Sequence, residues 1–379
     1  MENKTTYITD YNCVTPLGFN VEDNWKNVLA GKSGIRKHDL FERQPPFHAG
    51  IIDNSELEDI FTVEFESGNF TRLEKMLLLS LKPLVDKHGI KDKTAFILST
   101  TKGNVSLLKG KSTPPQEAYL PVLAKRIADF FGCKTQPVVI SNACVSGVMA
   151  VSVAKNMIES GLYSDAYVLA GDEVSEFVIS GFNSFQAMSS EPCKPYDENR
   201  DGITIGEAAA AVFVTSTPPL EGLYFEIMGE SAVNDANHIS GPSRTGEGLF
   251  RSIENALKEV QISAGKIDYL SAHGTATIYN DEMESIAFTR AGLQNTPVNS
   301  LKGFYGHCLG ASGLLEIIMA MESARNNMLI SSLNLNKQGV SESLNIITEN
   351  KAEEIEYILK TASGFGGSNA AIILKKCVQ

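Results

Sequence analysis

Three residues of this 379-residue chain are of types that do carbonyl chemistry, and they stand where such chemistry is usually mounted. Cys144 lies in Ser141-Asn142-Ala143-Cys144-Val145-Ser146-Gly147, between the apolar run 137–140 and a small-residue stretch, 148–158, that reads as a buried helix. Strand, sharp turn and helix put the thiol at or near a helix N-terminus. There the helix dipole and unpaired backbone N–H groups lower the cost of a thiolate. The pattern is that of a nucleophile elbow with sulfur in place of oxygen. His273 opens His273-Gly274-Thr275-Ala276-Thr277 directly after the apolar run 267–272, at the carboxyl end of an expected strand, where α/β sheets meet their ligands. His307 sits within Lys302-Gly303-Phe304-Tyr305-Gly306-His307-Cys308-Leu309-Gly310-Ala311-Ser312-Gly313, whose glycines let backbone approach a ligand closely.

Taken singly, each of the three reads more simply as a packed thiol or a structural histidine. Together they give a nucleophile with two imidazole partners. A cysteine hydrolase needs one histidine and an orienting amide or carboxylate. Two neutral imidazoles suit a second task, donating N–H to a thioester oxygen while a carbanion forms beside it. The other histidines, His38, His48, His88 and His238, have no such setting and read as surface or structural residues.

The elements that must position these groups alternate between strand and helix. Residues 6–9, 95–98, 137–140, 166–170 and 208–214 read as short apolar strands. A break at Pro218-Pro219 follows, and the order restarts with strands at 223–233, 267–272, 298–300, 355–361 and 370–374. Helices are expected over 20–29, capped by Asn20 and ended by Gly31, and over 73–88, kinked at Pro83. Further helices are expected over 121–131, 148–158, 177–188, 246–264, 281–291 and 313–326, while 36–70, 102–118 and 189–202 read as irregular. Segments 141–154 and 300–321 share the pattern strand, small-residue turn, buried helix. Gly206-Glu207-Ala208-Ala209-Ala210-Ala211-Val212 likewise matches Gly367-Ser368-Asn369-Ala370-Ala371-Ile372-Ile373. The expectation is an α/β fold of two duplicated halves, 1–215 with the nucleophile and 216–379 with both histidines.

Composition narrows the function classes. With 33 Lys and Arg against 45 Asp and Glu, the chain carries a net charge of −12, which argues against a general nucleic-acid binder. Six cysteines without a Cys-x-x-Cys pair suggest a reducing compartment. The polar stretch 1–7 lacks an apolar signal region, and no apolar run is long enough for a bilayer. A cytoplasmic protein is expected, with no membrane or nucleic-acid partner. No metal is expected either, since Cys13, Cys133, Cys193 and Cys377 lack ligand spacing and read as structural.

On these residues the chain resembles the β-ketoacyl-acyl-carrier-protein synthases, the Cys-His-His branch of the thiolase-like fold. The resemblance runs nearly end to end. It takes in Val14-Thr15-Pro16-Leu17-Gly18 with residues 25–34, Pro195-Tyr196-Asp197, Arg200-Asp201-Gly202, Gly206-Glu207-Ala208 and the three site motifs with Glu316. It closes on Gly364-Phe365-Gly366-Gly367-Ser368-Asn369. What the resemblance implies is a layered αβαβα fold, an acyl group held on Cys144, and a malonyl thioester bound and decarboxylated by His273 and His307. It further implies an oxyanion hole from the Cys144 and Phe365 N–H groups, Lys302 keeping the His307 side polar with Glu316 as partner, and Phe365 gating the two half-reactions. Thr275 and Thr277 would bind the pantetheine arm. Substrates would arrive on the phosphopantetheine of an acyl carrier protein, without a further cofactor, and the protein would pair with a second copy or a related subunit. Cys308 beside His307 is expected to be a buried neutral thiol.

The chain departs from the family pattern at Asp10-Tyr11-Asn12, in a shortened 101–120 segment and in a trimmed stretch after Val214. A fatty acid or a polyketide or aryl polyene pathway is therefore open. The rival readings are a non-catalytic partner of the chain-length-factor type, and a thiolase or a Cys-His-Asn initiating ketosynthase. The intact Cys144, His273 and His307 stand against both. Carrier proteins are acidic, and Arg72, Lys75 and Arg200 are the candidate docking residues on this acidic chain.

Overall fold

The computed structural model describes residues 5–65, 68–238 and 241–379. The first four residues of the polar N-terminus, and positions 66–67 of the stretch expected to be irregular, lie outside them. Ten strands form the main sheet: β1 (Tyr7–Val14), β2 (Thr94–Ser99), β3 (Val138–Ile140), β4 (Asp165–Asp172), β5 (Ala208–Thr215), β6 (Leu223–Asn234), β7 (Tyr269–Ser271), β8 (Val298–Asn299), β9 (Tyr357–Gly364) and β10 (Ser368–Val378). Their order is β8-β7-β9-β10-β6-β1-β5-β4-β2-β3. Read outward from the middle, β1-β5-β4-β2-β3 and β6-β10-β9-β7-β8 are the same arrangement twice, each strand matched by the one five places later. Within the sheet, among the described residues, the two halves pair where Tyr7 and Ile8 meet Glu226 and Phe225.

Alternation along the strands explains the layers. In β5, Ala208, Ala210, Val212 and Val214 face a central core, while Ala209, Ala211 and Phe213 face an outer one. In β10, Ala370, Ile372 and Leu374 face the same central core, and Ala371 and Ile373 a third. The helices are α1 (Val21–Leu29), α2 (Asn54–Phe65), α3 (Arg72–His88), α4 (Leu120–Phe130), α5 (Ser146–Glu159), α6 (Glu176–Ser184), α7 (Glu247–Val260), α8 (Ile278–Arg290), α9 (Lys302–Tyr305) and α10 (Ser312–Arg325). Helices α5 and α10 fill the central layer between the two half-sheets. α3 and α4 cover the outer face of the first half, α7 and α8 that of the second. This is the layered αβαβα order that the resemblance implied.

Both faces of α5 and α10 must be apolar, which is why their sequences lack a polar stripe. They also cross closely. A Cβ on Gly147 would meet Leu314 N at 2.6 Å and Gly310 O at 2.9 Å, and one on Gly313 would meet Val148 N at 2.9 Å. Small residues at this crossing bring the two helix N-termini together.

Two expectations need correction. Much of the stretch 36–70 is regular: Ile35–His38 pairs with Phe47–Gly50, which also pairs with Ile205–Gly206, and α2 follows. Strands of four residues with charged members carry no readable alternation, and Asp53, whose carboxylate accepts from the Ser55 and Glu56 N–H groups, starts α2. Helix α6 ends at Ser184, short of 188. The departure at Asp10-Tyr11-Asn12 has a structural use. Tyr11 Oη donates to Glu322 Oε1 at 2.6 Å and accepts from Arg325 Nε at 3.0 Å, while Asn12 Nδ2 donates to Ser80 O, so β1 is tied to α10 and α3.

Candidate active site

Cys144 sits between the end of β3 and α5, one residue ahead of the N-cap Val145. Ala143 just before it has φ +43°, a left-handed conformation costly for a residue with a Cβ. The turn is fixed by Ser146, whose Oγ accepts from Asn142 N–H at 2.7 Å and donates to Ala143 O at 2.6 Å. From the other half, Ser368 Oγ donates to Asn142 Oδ1 at 2.9 Å. A Cβ on Gly364 would lie 3.0 Å from Cys144 N, so any side chain there would push the end of β9 back by a few tenths of an ångström. That approach brings Phe365 beside the thiol.

His307 stands at the matching turn of the second half, between β8 and α10. Its backbone is locked to the small sheet: His307 N–H donates to Thr204 O at 2.6 Å, and Gly206 N–H to His307 O at 3.0 Å. The preceding Gly306, at φ +73°, passes within 2.6 Å of Ile205 O where a Cβ would be. On the ring, Leu309 N–H donates to Nδ1 at 3.2 Å and Ser312 Oγ lies 2.9 Å from it. This network assigns the proton of the neutral ring to Nε2, which faces Cys144 Sγ at 3.0 Å. His273 follows β7, and its ring meets that of His307 edge to face, centroids 5.1 Å apart. Its turn is held by Glu284, whose carboxylate accepts from His273 N–H at 2.8 Å, Gly274 N–H at 2.7 Å and Tyr196 Oη at 3.0 Å. His273 Nδ1 is buried and has no hydrogen-bond partner among the described residues.

Burial dominates the electrostatics. It holds both imidazoles well below the ordinary histidine value, and the ammoniums of Lys302 and Lys360 push in the same direction. It also pushes the Cys144 thiol up to about 12, against the pull of Lys302 and Lys102. The expectation of a depressed thiol is therefore corrected. Cys144 is half-buried and lines a cavity, and loss of water outweighs the pull of the nearby ammoniums. At neutral pH the resting site holds a thiol and two neutral rings.

The three side chains that sequence brought together do share that cavity. It has a volume of about 460 Å³, and Thr275 and Thr277 also line it, their hydroxyls 3.0 Å apart. Phe365 is 40% exposed at its mouth, its ring centroid 5.8 Å from that of Phe182 and 5.6 Å from that of Phe185. Lys302 and Glu316 are buried and ion-paired behind His307. Sequence reading missed Lys360, Glu284 and Phe185. Cys308 is buried, and burial raises its thiol.

The candidate docking residues are not available. Arg72 is bound to Glu207, Asn54 Oδ1 at 2.7 Å and Ile52 O at 2.5 Å. Lys75 pairs with Glu58 at 2.5 Å. Arg200 is buried and donates to Asp197 O at 2.9 Å and Gly339 O at 2.7 Å.

One donor atom each of Cys144, His273 and His307 lies within 4.8 Å of the others, a set that could also grip a metal ion. The 3.0 Å between Sγ and Nε2 is a hydrogen-bond length. Two such ligands across a tetrahedral zinc stand roughly 3.5 Å apart. The geometry therefore fits a hydrogen-bonded nucleophile better. Residues 5–218 match the N-terminal domain model of the beta-ketoacyl synthases, and residues 224–336 the C-terminal one.

The chain belongs to the beta-ketoacyl synthase family. As a beta-ketoacyl synthase it is 26% identical, over 417 aligned positions, to the 3-oxoacyl-(acyl-carrier-protein) synthase 2 of Staphylococcus aureus, covering 99% of each chain. A ketosynthase solved in complex with its chain length factor, from Xenorhabdus doucetiae, superposes with a TM-score of 0.86 at 27% identity, covering 99% of this chain and 98% of that one. A beta-ketoacyl synthase from Burkholderia phymatum superposes at 0.84 with 25% identity, covering 99% and 100%. Among the described residues of this beta-ketoacyl synthase, no helix is long and apolar enough to cross a membrane.

Proposed function

We propose that this beta-ketoacyl synthase joins an acyl thioester to malonyl-acyl-carrier protein by decarboxylating Claisen condensation, giving a 3-ketoacyl-carrier product for fatty acid or polyketide-type chains. The observation that carries the reading is the 3.0 Å contact of Cys144 Sγ with His307 Nε2, with His273 in the same cavity.

In the first half-reaction Cys144 sulfur attacks the acyl carbonyl. The bond to the carrier sulfur breaks, and the proton that Cys144 loses ends on the released carrier thiol. The His307 Nε2–H points at the sulfur and stabilises it as charge develops. The N–H groups of Cys144 and Phe365 receive the tetrahedral oxygen. One such donor contributes about 2.7–4 kcal/mol in enzymes generally.

In the second half-reaction the bond between the malonyl methylene and its carboxylate breaks, and carbon dioxide leaves. The electron pair stays as an enolate, whose oxygen takes N–H bonds from His273 and His307. Rings held neutral by burial can donate without competing for the carbanion's electrons. The enolate carbon then attacks the acyl-Cys144 carbonyl, the carbon–sulfur bond breaks, and the thiolate recovers a proton from solvent. Thr275 and Thr277 bind the pantetheine arm, Phe365 swings between the half-reactions, and Lys302 with Glu316 supports the His307 turn. No metal or further cofactor enters this scheme. The protein works in the cytoplasm as a dimer, with a second copy or a related subunit.

Cys144→Ala is expected to abolish the acyl adduct seen by intact mass. His307→Ala is expected to keep acylation and lose carbon dioxide release from malonyl carrier. Condensation retained in the cysteine variant overturns the scheme. A wild-type chain that takes no acyl group would instead be a non-catalytic partner of the chain-length-factor kind.

A further inference from the structure

Lys360 is fully buried in the middle of β9, a strand otherwise built of apolar and small residues. A charged side chain in such a place needs partners. Its Nζ has three: Glu316 Oε2 at 2.6 Å, Ala272 O at 3.0 Å and Ser271 O at 3.3 Å. Two carbonyls accept N–H bonds from Nζ and the Glu316 carboxylate faces it as an ion pair, the surroundings of an ammonium. The other oxygen of Glu316 is held by Lys302.

The connectivity is specific. Ala272 and Ser271 directly precede His273 on β7, and Lys302 opens the short helix α9 that leads to His307. Glu316, on α10, thus joins the two histidine-bearing turns through one lysine each. Lys360 is no part of the resemblance that singled out Lys302 and Glu316.

We propose that Lys360 is a positioning residue for decarboxylation: with Lys302 it suspends Glu316 between the two histidine turns and sets a second ammonium behind the rings that receive enolate charge. The inference rests on the condensation reading. The charged and titratable groups around it are Lys302 and Glu316, Glu284 and Asp281 on α8, His273, His307 and Cys144. A bare Lys302–Glu316 pair would cancel its own charge. Lys360 adds one positive charge to that pair, which repels a proton on either ring and attracts an enolate, against the opposite pull of Glu284 and Asp281.

The test is Lys360→Met, read in two ways. Titration of histidine ring nitrogens by NMR needs no substrate. Removing the ammonium is expected to raise the pH at which His273 and His307 protonate by roughly one unit or more. Single-turnover assays then separate the half-reactions: carbon dioxide release is expected to fall about 10-fold or more, with Cys144 acylation within about 3-fold of wild type. The variant keeps a charge-balanced Lys302–Glu316 pair and is expected to fold. If it does not, Lys360→Arg, which restores the charge, must keep the wild-type ring titration and the wild-type ratio of the two rates. Unmoved ring titration, or parallel loss of both half-reactions, overturns the proposal. A wild-type chain without acylation would sink the condensation reading instead, and the NMR titration would still decide whether Lys360 governs the rings.

Discussion

Gly147→Ala tests whether the crossing of α5 and α10 sets the distance between sulfur and imidazole. The added Cβ would lie 2.6 Å from Leu314 N and 2.9 Å from Gly310 O, both backbone atoms that cannot rotate away. Reaching ordinary contact at 3.4 Å means that the helices part by about 0.8 Å. Cys144 and His307 lie just ahead of the N-terminal ends of these two helices, so a retreat of that size lengthens the 3.0 Å contact to as much as about 3.8 Å, near the outer limit of a hydrogen bond to sulfur. Overpacking of this kind costs about 1–3 kcal/mol of stability. Misplacing reacting groups by nearly 1 Å costs on the order of 10²-fold in rate. A folded variant is therefore expected, with a melting temperature lower by a few degrees and condensation slower by about two orders of magnitude. Thermal melts and single-turnover condensation with acyl and malonyl carriers are the assays. Wild-type rate in a variant of wild-type stability would refute the idea that this crossing positions the site.

Further predictions come from the electrostatics. Alkylation of Cys144 by iodoacetamide is expected to accelerate with pH and to show no plateau below about pH 10, because burial pushes the thiol up to about 12; a plateau near neutrality contradicts this. Both imidazoles have lowered folded values, so the stability they permit above the ordinary value of about 6.5 is lost as pH falls below it, when the unfolded chain takes protons that the buried rings refuse. In urea melts from pH 8 to 5, His307→Gln is expected to lose stability less steeply than wild type by up to about 1.4 kcal/mol per pH unit, and parallel slopes would contradict it. Activity with a carrier-bound substrate is expected to fall with added salt more than activity with a small thioester mimic, and equal responses would rule out charge-led docking.

Much of the site was legible because its chemistry uses residue types that stand out against their surroundings. A cysteine between an apolar run and a small-residue helix, and histidines after strands, can be read without a fold. The internal repeat then places Cys144 and His307 at equivalent turns across one central layer. Other features depend on what packs around them. The direction of the Cys144 shift could not be read, because a helix start is local while burial is tertiary. Arg72 and Arg200 looked like surface cations, but Arg72 ends up on the buried carboxylate of Glu207 and Arg200 on the carbonyls of nearby Asp197 and distant Gly339. Lys360 carries a legible signal, since a lysine inside an apolar strand implies a buried partner, here Glu316. The strands at Ile35–His38 and Phe47–Gly50 left almost none, since each is only four residues long and the pairing that makes them strands comes from elsewhere in the chain.

In the proposed function, a sulfur from the first half and two rings from the second form one condensing site. The most direct measurement follows the intact mass of the chain through one cycle. With an acyl carrier protein donor, a single acyl adduct is expected on the peptide containing Cys144. Addition of malonyl carrier should remove it while carbon dioxide and a 3-ketoacyl carrier appear in equal amounts. An adduct on another residue, or one on Cys144 that malonyl carrier cannot discharge, would contradict the account.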